Sequence, residues 1–217
     1  MGSAHGTEGP TTSHQDIVGR VGNGENVERK TARARRPTRR EEVLKVAARL
    51  FAERGYSSVT VDDLGAAAGV SGPALYHHFD GKEALLGEML IGISQSLLDR
   101  ASALATANPQ DLLGALIAMH VDFAVEDRQL ITVHFRELVN ARKADRKRVR
   151  DLQNAYVDIW VDALMVVGRN LEPRTARTVV HAALGLMNST PHSGRLGRDE
   201  MSAILVSMTG AALASMT

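Results

Sequence analysis

Cysteine is absent from the 217 residues. That excludes a disulfide framework, a thiol nucleophile and any zinc site built on thiolates. No apolar run approaches the ~20 residues of a membrane-spanning helix, and the N-terminus lacks the basic-then-apolar pattern of a secretory leader. The expectation is a soluble cytoplasmic protein with no membrane partner. Alternating strand patterns are missing as well. So are paired carboxylates, His-x-x-x-His or Glu-x-x-His spacings, a nucleophile elbow and a glycine-rich phosphate loop. Nothing in the chain predicts an enzyme, a cofactor or a metal site.

Net charge is small, at +1, but it is unevenly placed. Residues 28–82 hold 11 Lys/Arg against 7 Asp/Glu, whereas the flanking segments are slightly acidic. A positive excess confined to one segment suits a phosphate-binding face. Residues 1–37, rich in Gly, Ser, Thr and charge, have no sustained apolar period and are predicted to be a disordered arm, basic at its end. Arg39 and Arg40 continue that basic run, and a supplementary DNA contact by the arm and a solvated tail both remain open.

Helical periodicity begins at Thr38, where Thr38 and Glu41 have capping-box spacing. Val43, Leu44, Ala47, Leu50 and Phe51 share one face, and Gly55 ends the segment. Thr60 caps a second helix with Asp62 and Asp63 in its first turn, and Gly69 closes it. A third helix starts near Ser71 and ends near Phe79, and Lys82 opens a long fourth. The few prolines then act as punctuation. Asn108-Pro109 opens a helix, Pro173 opens another that runs to about Ser189, and residues 191–197 form a break. Further helices are expected over Leu130–Val139, Asp145–Asn170 and Asp199–Ser215. The fold class is all-α with about nine helices: a three-helix domain over 38–84 and a helical domain over 85–217.

Residues 60–82, TVDDLGAAAGVSGPALYHHFDGK, carry the most information. Two short helices joined by a tight turn form a helix-turn-helix, a device that sets one helix against a DNA groove. Ala66, Ala67 and Ala68 supply close packing, Gly69 turns the chain and Val70 plugs the crossing. Ser71 presents the start of the third helix. Gly72 and Pro73 are small enough for close backbone approach to base edges. Tyr76, His77 and Lys82 offer donors to phosphates, while Leu75 and Phe79 belong to the core and His78 packs within the domain.

Ala47 to Leu86 resembles the tetracycline-repressor (TetR) family of bacterial transcriptional regulators. The resemblance lies in Phe51, Gly55-Tyr56, Thr60-Val61, Leu64, Ala68-Gly69-Val70-Ser71, Leu75-Tyr76, His78-Phe79, Lys82-Glu83 and Leu86. Gly65 stands where Ala is usual, and Gly72-Pro73 where a longer polar residue and Gly often occur. The resemblance implies DNA contacts from Thr60, Ser71, Tyr76, His77 and Lys82 to a palindromic double-stranded operator. It also implies a homodimer through the last two helices and a small-molecule pocket in the C-terminal part. Phe123, His134, Tyr156, Trp160 and Asn188, aromatic or polar-tipped on apolar faces, are the candidate pocket residues. A weaker likeness over residues 131–164 is to members that sense acyl-coenzyme A esters or lipid intermediates; the Arg142–Arg150 cluster there suits either an anionic ligand group or a solvated helix start. The implied function is a ligand-responsive repressor. The competing reading is a helical ligand carrier or enzyme with a non-functional helix-turn-helix.

Overall fold

The computed structural model describes residues 38–77, 79–105, 109–168, 171–193 and 196–216, without the side chains of residues 72, 73, 109 and 110. The expected arm over 1–37, His78 and the Asn108 cap lie outside the described residues. Ten α-helices are present among them: α1 (Arg39–Arg54), α2 (Val61–Ala68), α3 (Gly72–Tyr76), α4 (Lys82–Leu104), α5 (Pro109–Glu126), α6 (Arg128–Glu137), α7 (Lys143–Val167), α8 (Pro173–Met187), α9 (Thr190–Ser193) and α10 (Arg198–Ala214). A single 3-10 turn, Leu138–Asn140, follows α6.

Local chemistry accounts for the starts of the first two helices. Thr38 and Thr60 both form complete capping boxes, with Glu41 and Asp63 returning a hydrogen bond to the cap backbone. Each box satisfies two backbone donors that the first turn would otherwise leave open. Gly69 ends α2 with φ +65, the left-handed region that a side chain disfavours.

Three segments depart from the sequence expectation. Helix α3 stops at Tyr76 instead of near Phe79, with His77 as its C-cap. The segment 191–197 is not simply a break, because Pro191 lies in the one-turn helix α9, where a first-turn proline costs no helical hydrogen bond. Thr190, fully buried, anchors that turn by donating to the Ala124 carbonyl at 2.6 Å. Helix α7 begins two residues earlier than expected, at Lys143.

Apolar side chains gather into two large clusters. The first holds Val43, Ala47, Phe51, Leu64, Leu75 and Phe79 from α1–α3 and the following loop, joined by Leu85, Leu86, Met89 and Leu90 of α4. Val133 of α6 and Val149 of α7 complete it. The second is built from α5, α7, α8 and α10 around Trp160, Leu164, Val180 and Met187, with Ala101 of α4. Helix α4 therefore enters both cores. Its fit against α7 is close at Gly87, where an added Cβ would lie 2.3 Å from the Asp145 carboxylate.

These packing roles separate in magnitude. Phe51→Ala, at a fully buried site, is expected to cost about 3–5 kcal/mol. Thr38→Ala, which removes only a cap, is expected to cost about 1 kcal/mol. Urea unfolding of the two variants beside the parent protein checks both values, and equal losses would contradict this account of the first core.

Candidate functional site

Three of the expected contact residues, at α3 and its two caps, are open to solvent. Ser71, Tyr76 and His77 are exposed, Tyr76 with 57% of its surface accessible, while Leu75 between them is fully buried. One short helix thus divides its residues between core and exterior. The Ser71 hydroxyl also caps α3 by accepting from the Ala74 N–H at 3.3 Å. Thr60 is exposed too, but its hydroxyl donates to Asp63 at 2.6 Å. Gly72 and Pro73 lie in α3.

The cations expected near DNA have partners inside the protein. Arg39 donates to the Ala68 and Gly69 carbonyls at 2.5 and 2.8 Å. These are carbonyls at the end of α2, where backbone acceptors are left over and a positive charge is favoured. Arg40 forms a two-pronged pair with Glu88 of α4, its Nε donating to Oε1 at 2.6 Å, and lies 4.5 Å above the Phe79 ring. Lys82 donates to the Tyr56 and Val59 carbonyls, both at 2.8 Å, with its ammonium 4.2 Å from the Tyr56 ring centre. A cation at a helix start is electrostatically unfavourable, and those two carbonyls offset it. Charge in this region shapes the reading head from within.

A cavity of about 280 Å³ lies among α4–α8. Ile93, Ser94 and Leu97 of α4 and Leu130 and Ile131 of α6 form its apolar wall, with Phe123 of α5 and Leu184 of α8. Four of the five pocket residues expected from sequence, Phe123, His134, Tyr156 and Asn188, line it. Trp160 is not among the lining residues; it is fully buried behind them, edge-on to the Tyr156 and His120 rings with centroids 6.1 and 6.2 Å away. Its bulk belongs to the second core.

His120 is the residue that sequence reasoning missed. It shares with Phe123 the signal of a polar or aromatic tip on an apolar helix face, yet it stands at the centre of the polar network. Its Nε2 lies 3.1 Å from Asn188 Oδ1, and its Nδ1 lies 2.9 Å from the Tyr156 hydroxyl. An amide oxygen can only accept, so Nε2 carries the proton and Nδ1 accepts from tyrosine. Burial pushes the His120 pKa down to about 4 and raises that of Tyr156 above the usual phenol range. The relay is neutral near pH 7. A second polar pair, Gln153 donating to His134 Nε2, lies between α7 and α6, and burial also lowers the His134 pKa.

A wider cleft of about 600 Å³ lies on the other side of Ile93, Leu97, Phe123 and Leu130, reaching Leu44, Lys45 and Ala48 of α1. The basic side chains of residues 142–150 lie elsewhere. Arg142 pairs with Glu83 and Arg146 donates to the Val139 carbonyl. Arg148 donates to Gln95, and Lys147 pairs with Asp151. None of them lines the cavity.

Comparison with known proteins places this arrangement. A model of bacterial regulatory proteins of the tetR family matches residues 43–89, and a tetracyclin repressor-like C-terminal domain matches residues 106–213. The HTH-type transcriptional repressor KstR2 of Mycobacterium tuberculosis is 34% identical over 132 residues, covering 58% of this chain and 65% of that protein. The chain thus matches just under two thirds of that relative's length. Among solved structures, the ketosteroid transcriptional regulator KstR2 of Mycobacterium tuberculosis superposes with a TM-score of 0.72 at 24% identity, over 84% of this chain and 96% of that one. FadR from Bacillus subtilis, solved with stearoyl-CoA, superposes with a TM-score of 0.63 at 19% identity, over 81% and 96%. At these identities the structural likeness is one of fold. With both family models matched in order along one all-helical chain, the protein belongs to the TetR family of bacterial regulatory proteins.

Proposed function

We propose that this protein is a homodimeric transcriptional repressor. It binds a palindromic operator through residues 38–84 and is released by a small hydrophobic effector held within residues 85–217. The observation that supports this reading best is the sharing of α4, whose first half packs with the helix-turn-helix and whose Ile93, Ser94 and Leu97 line the cavity. Tyr76, His77 and Ser71 are the proposed DNA contacts on α3. Arg39, Arg40 and Lys82 act mainly by holding that helix in place.

Dimerisation is supported by α8 and α10. From Met201 to Met216 the sequence has no charged residue, yet Ile204, Val206 and Met208 are exposed. An uncharged apolar face of that kind is suited to helix packing against a second copy. Two copies supply two reading heads for half-sites ~34 Å apart.

The effector can act along two paths. One is α4. The other is α6, where Leu130, Ile131 and His134 face the cavity while Val133 packs in the first core and Arg136 donates to the Ala52 carbonyl of α1 at 3.2 Å. A ligand that favours one placement of these helices weakens operator binding, and DNA weakens ligand binding by the same coupling energy, typically ~1–3 kcal/mol. An acyl-coenzyme A ester fits this scheme with its acyl part inside. Its phosphates would then lie outside the cavity, whose lining has no Lys or Arg.

Three outcomes are expected. Tyr76→Ala lowers affinity about tenfold on every duplex, the loss of one hydrogen bond to a charged group, and leaves the dimer intact by sedimentation. Unchanged gel-shift affinity would remove Tyr76 from the interface. Parent-protein binding falls steeply with salt, as phosphate contacts require; a flat salt response would favour the carrier reading. The third concerns pH. The folded-state pKa of His120 is depressed from 6.5 to about 4, so the unfolded chain takes up a proton first as pH falls. Stability is therefore full above pH ~6.5 and declines from there to pH ~4, by roughly 3 kcal/mol from this group. Urea unfolding of His120→Gln should show a shallower decline over that window.

A further inference from the structure

The cavity's hydrogen-bonding inventory limits what can occupy it. None of the lining residues is Lys, Arg, Asp or Glu. A carboxylate or ammonium seated there would lose its hydration with no Lys, Arg, Asp or Glu of the lining to replace it. Burial disfavours a charge on two of the lining histidines, His120 and His134, while the third, His181, is exposed to solvent.

The polar groups point to the complementary chemistry. The single N–H of neutral His120 is committed to Asn188 Oδ1, and Tyr156 commits its proton to His120 Nδ1. In this relay the Asn188 amide oxygen faces the histidine, and its NH₂ group has no hydrogen-bond partner among the described residues. Asn188 is half-buried and lines the cavity. A side-chain NH₂ held by a fully committed relay, at the edge of an apolar chamber, is a donor waiting for a neutral acceptor.

We propose that the cavity selects an uncharged, largely apolar molecule bearing a carbonyl-type acceptor, a ketone or thioester, and that Asn188 reads this acceptor while His120 and Tyr156 position the amide. The proposal rests on the ligand-responsive reading above and adds the ligand's chemical class. Charged analogues of the same carbon skeleton are rejected because the site leaves their charge unpaired. Asn188 is the specificity-determining residue, and His120 and Tyr156 are positioning residues.

The protein carries its own reporter, because its one tryptophan, Trp160, lies beside both Tyr156 and His120. The test titrates the full chain at pH 7.5 with decan-2-one, decanoate and decylammonium, reading Trp160 fluorescence and confirming with calorimetry. Decan-2-one should bind saturably and at least about tenfold more tightly than either ion. Asn188→Asp has the same shape and still accepts from His120, but it presents a carboxylate oxygen where the NH₂ group was. It should lose at least about tenfold in ketone affinity and turn the preference towards decylammonium. Asn188→Leu should lose the ketone without gaining the cation.

Three results would overturn the assignment: decanoate binding as tightly as the ketone, Asn188→Asp retaining full ketone affinity, or none of the probes binding the parent protein. A gel shift on the same preparation with a duplex selected from a random pool keeps the two readings apart. Intact DNA binding beside failed ketone binding sinks the cavity assignment alone. Selective ketone binding without affinity for any duplex upholds it and sinks the regulator reading.

Discussion

Helix α4 belongs to two hydrophobic cores at once, and the rest of the architecture depends on that sharing. Over 23 residues it spans about 34 Å at 1.5 Å per residue. Leu85, Leu86, Met89 and Leu90 are buried with the helix-turn-helix, while Leu97, Leu98 and Ala101 pack with the C-terminal helices. A helix close-packed at both ends does not bend cheaply, so a displacement at one end must be met at the other. The near contact of Gly87 with Asp145 brings its second turn close to α7. Ile93, Ser94 and Leu97 of this shared element line the cavity.

The helix-turn-helix is held together by its own capping groups. Helices of eight and five residues are too short to be stable alone. They persist because their ends are satisfied: Thr60 and Ser71 at the starts, and Arg39 on the last carbonyls of α2. Lys82 closes the α1–α2 connection in the same way. Basic residues in such a domain thus have two roles, attraction of phosphate through their summed field and repair of the backbone acceptors that short helices leave unpaired. Arg39 and Lys82 both donate to such carbonyls.

Polar groups in the cavity are few and mutually dependent. His120 has no charge to offer near neutral pH, and its two nitrogens are both taken, so it sets how Tyr156 and Asn188 face the cavity. Removing one member would leave the others with unmet capacity in a dry setting, which is why buried networks of this kind discriminate strongly among occupants. The wall of Ile93, Leu97, Phe123 and Leu130 separates this network from the cleft that reaches α1.

The sequence alone determined what depends on near neighbours along the chain. Capping boxes at Thr38 and Thr60, the turn at Gly69, and the burial of Leu75 and Phe79 beside an exposed Tyr76 all follow from spacings of three or four residues. The all-helical class and most helix bounds have the same origin. Only the tertiary structure decided which long-range groups meet. His120, Tyr156 and Asn188 come from α5, α7 and the end of α8, so periodicity could place each on an apolar face but could not join them into a relay. Likewise, nothing local distinguishes Trp160, sealed behind the cavity, from Tyr156, which lines it one helical turn away. Periodicity reports which face of a helix turns inward; which partners wait there depends on how the helices cross, and that is a property of the packed chain.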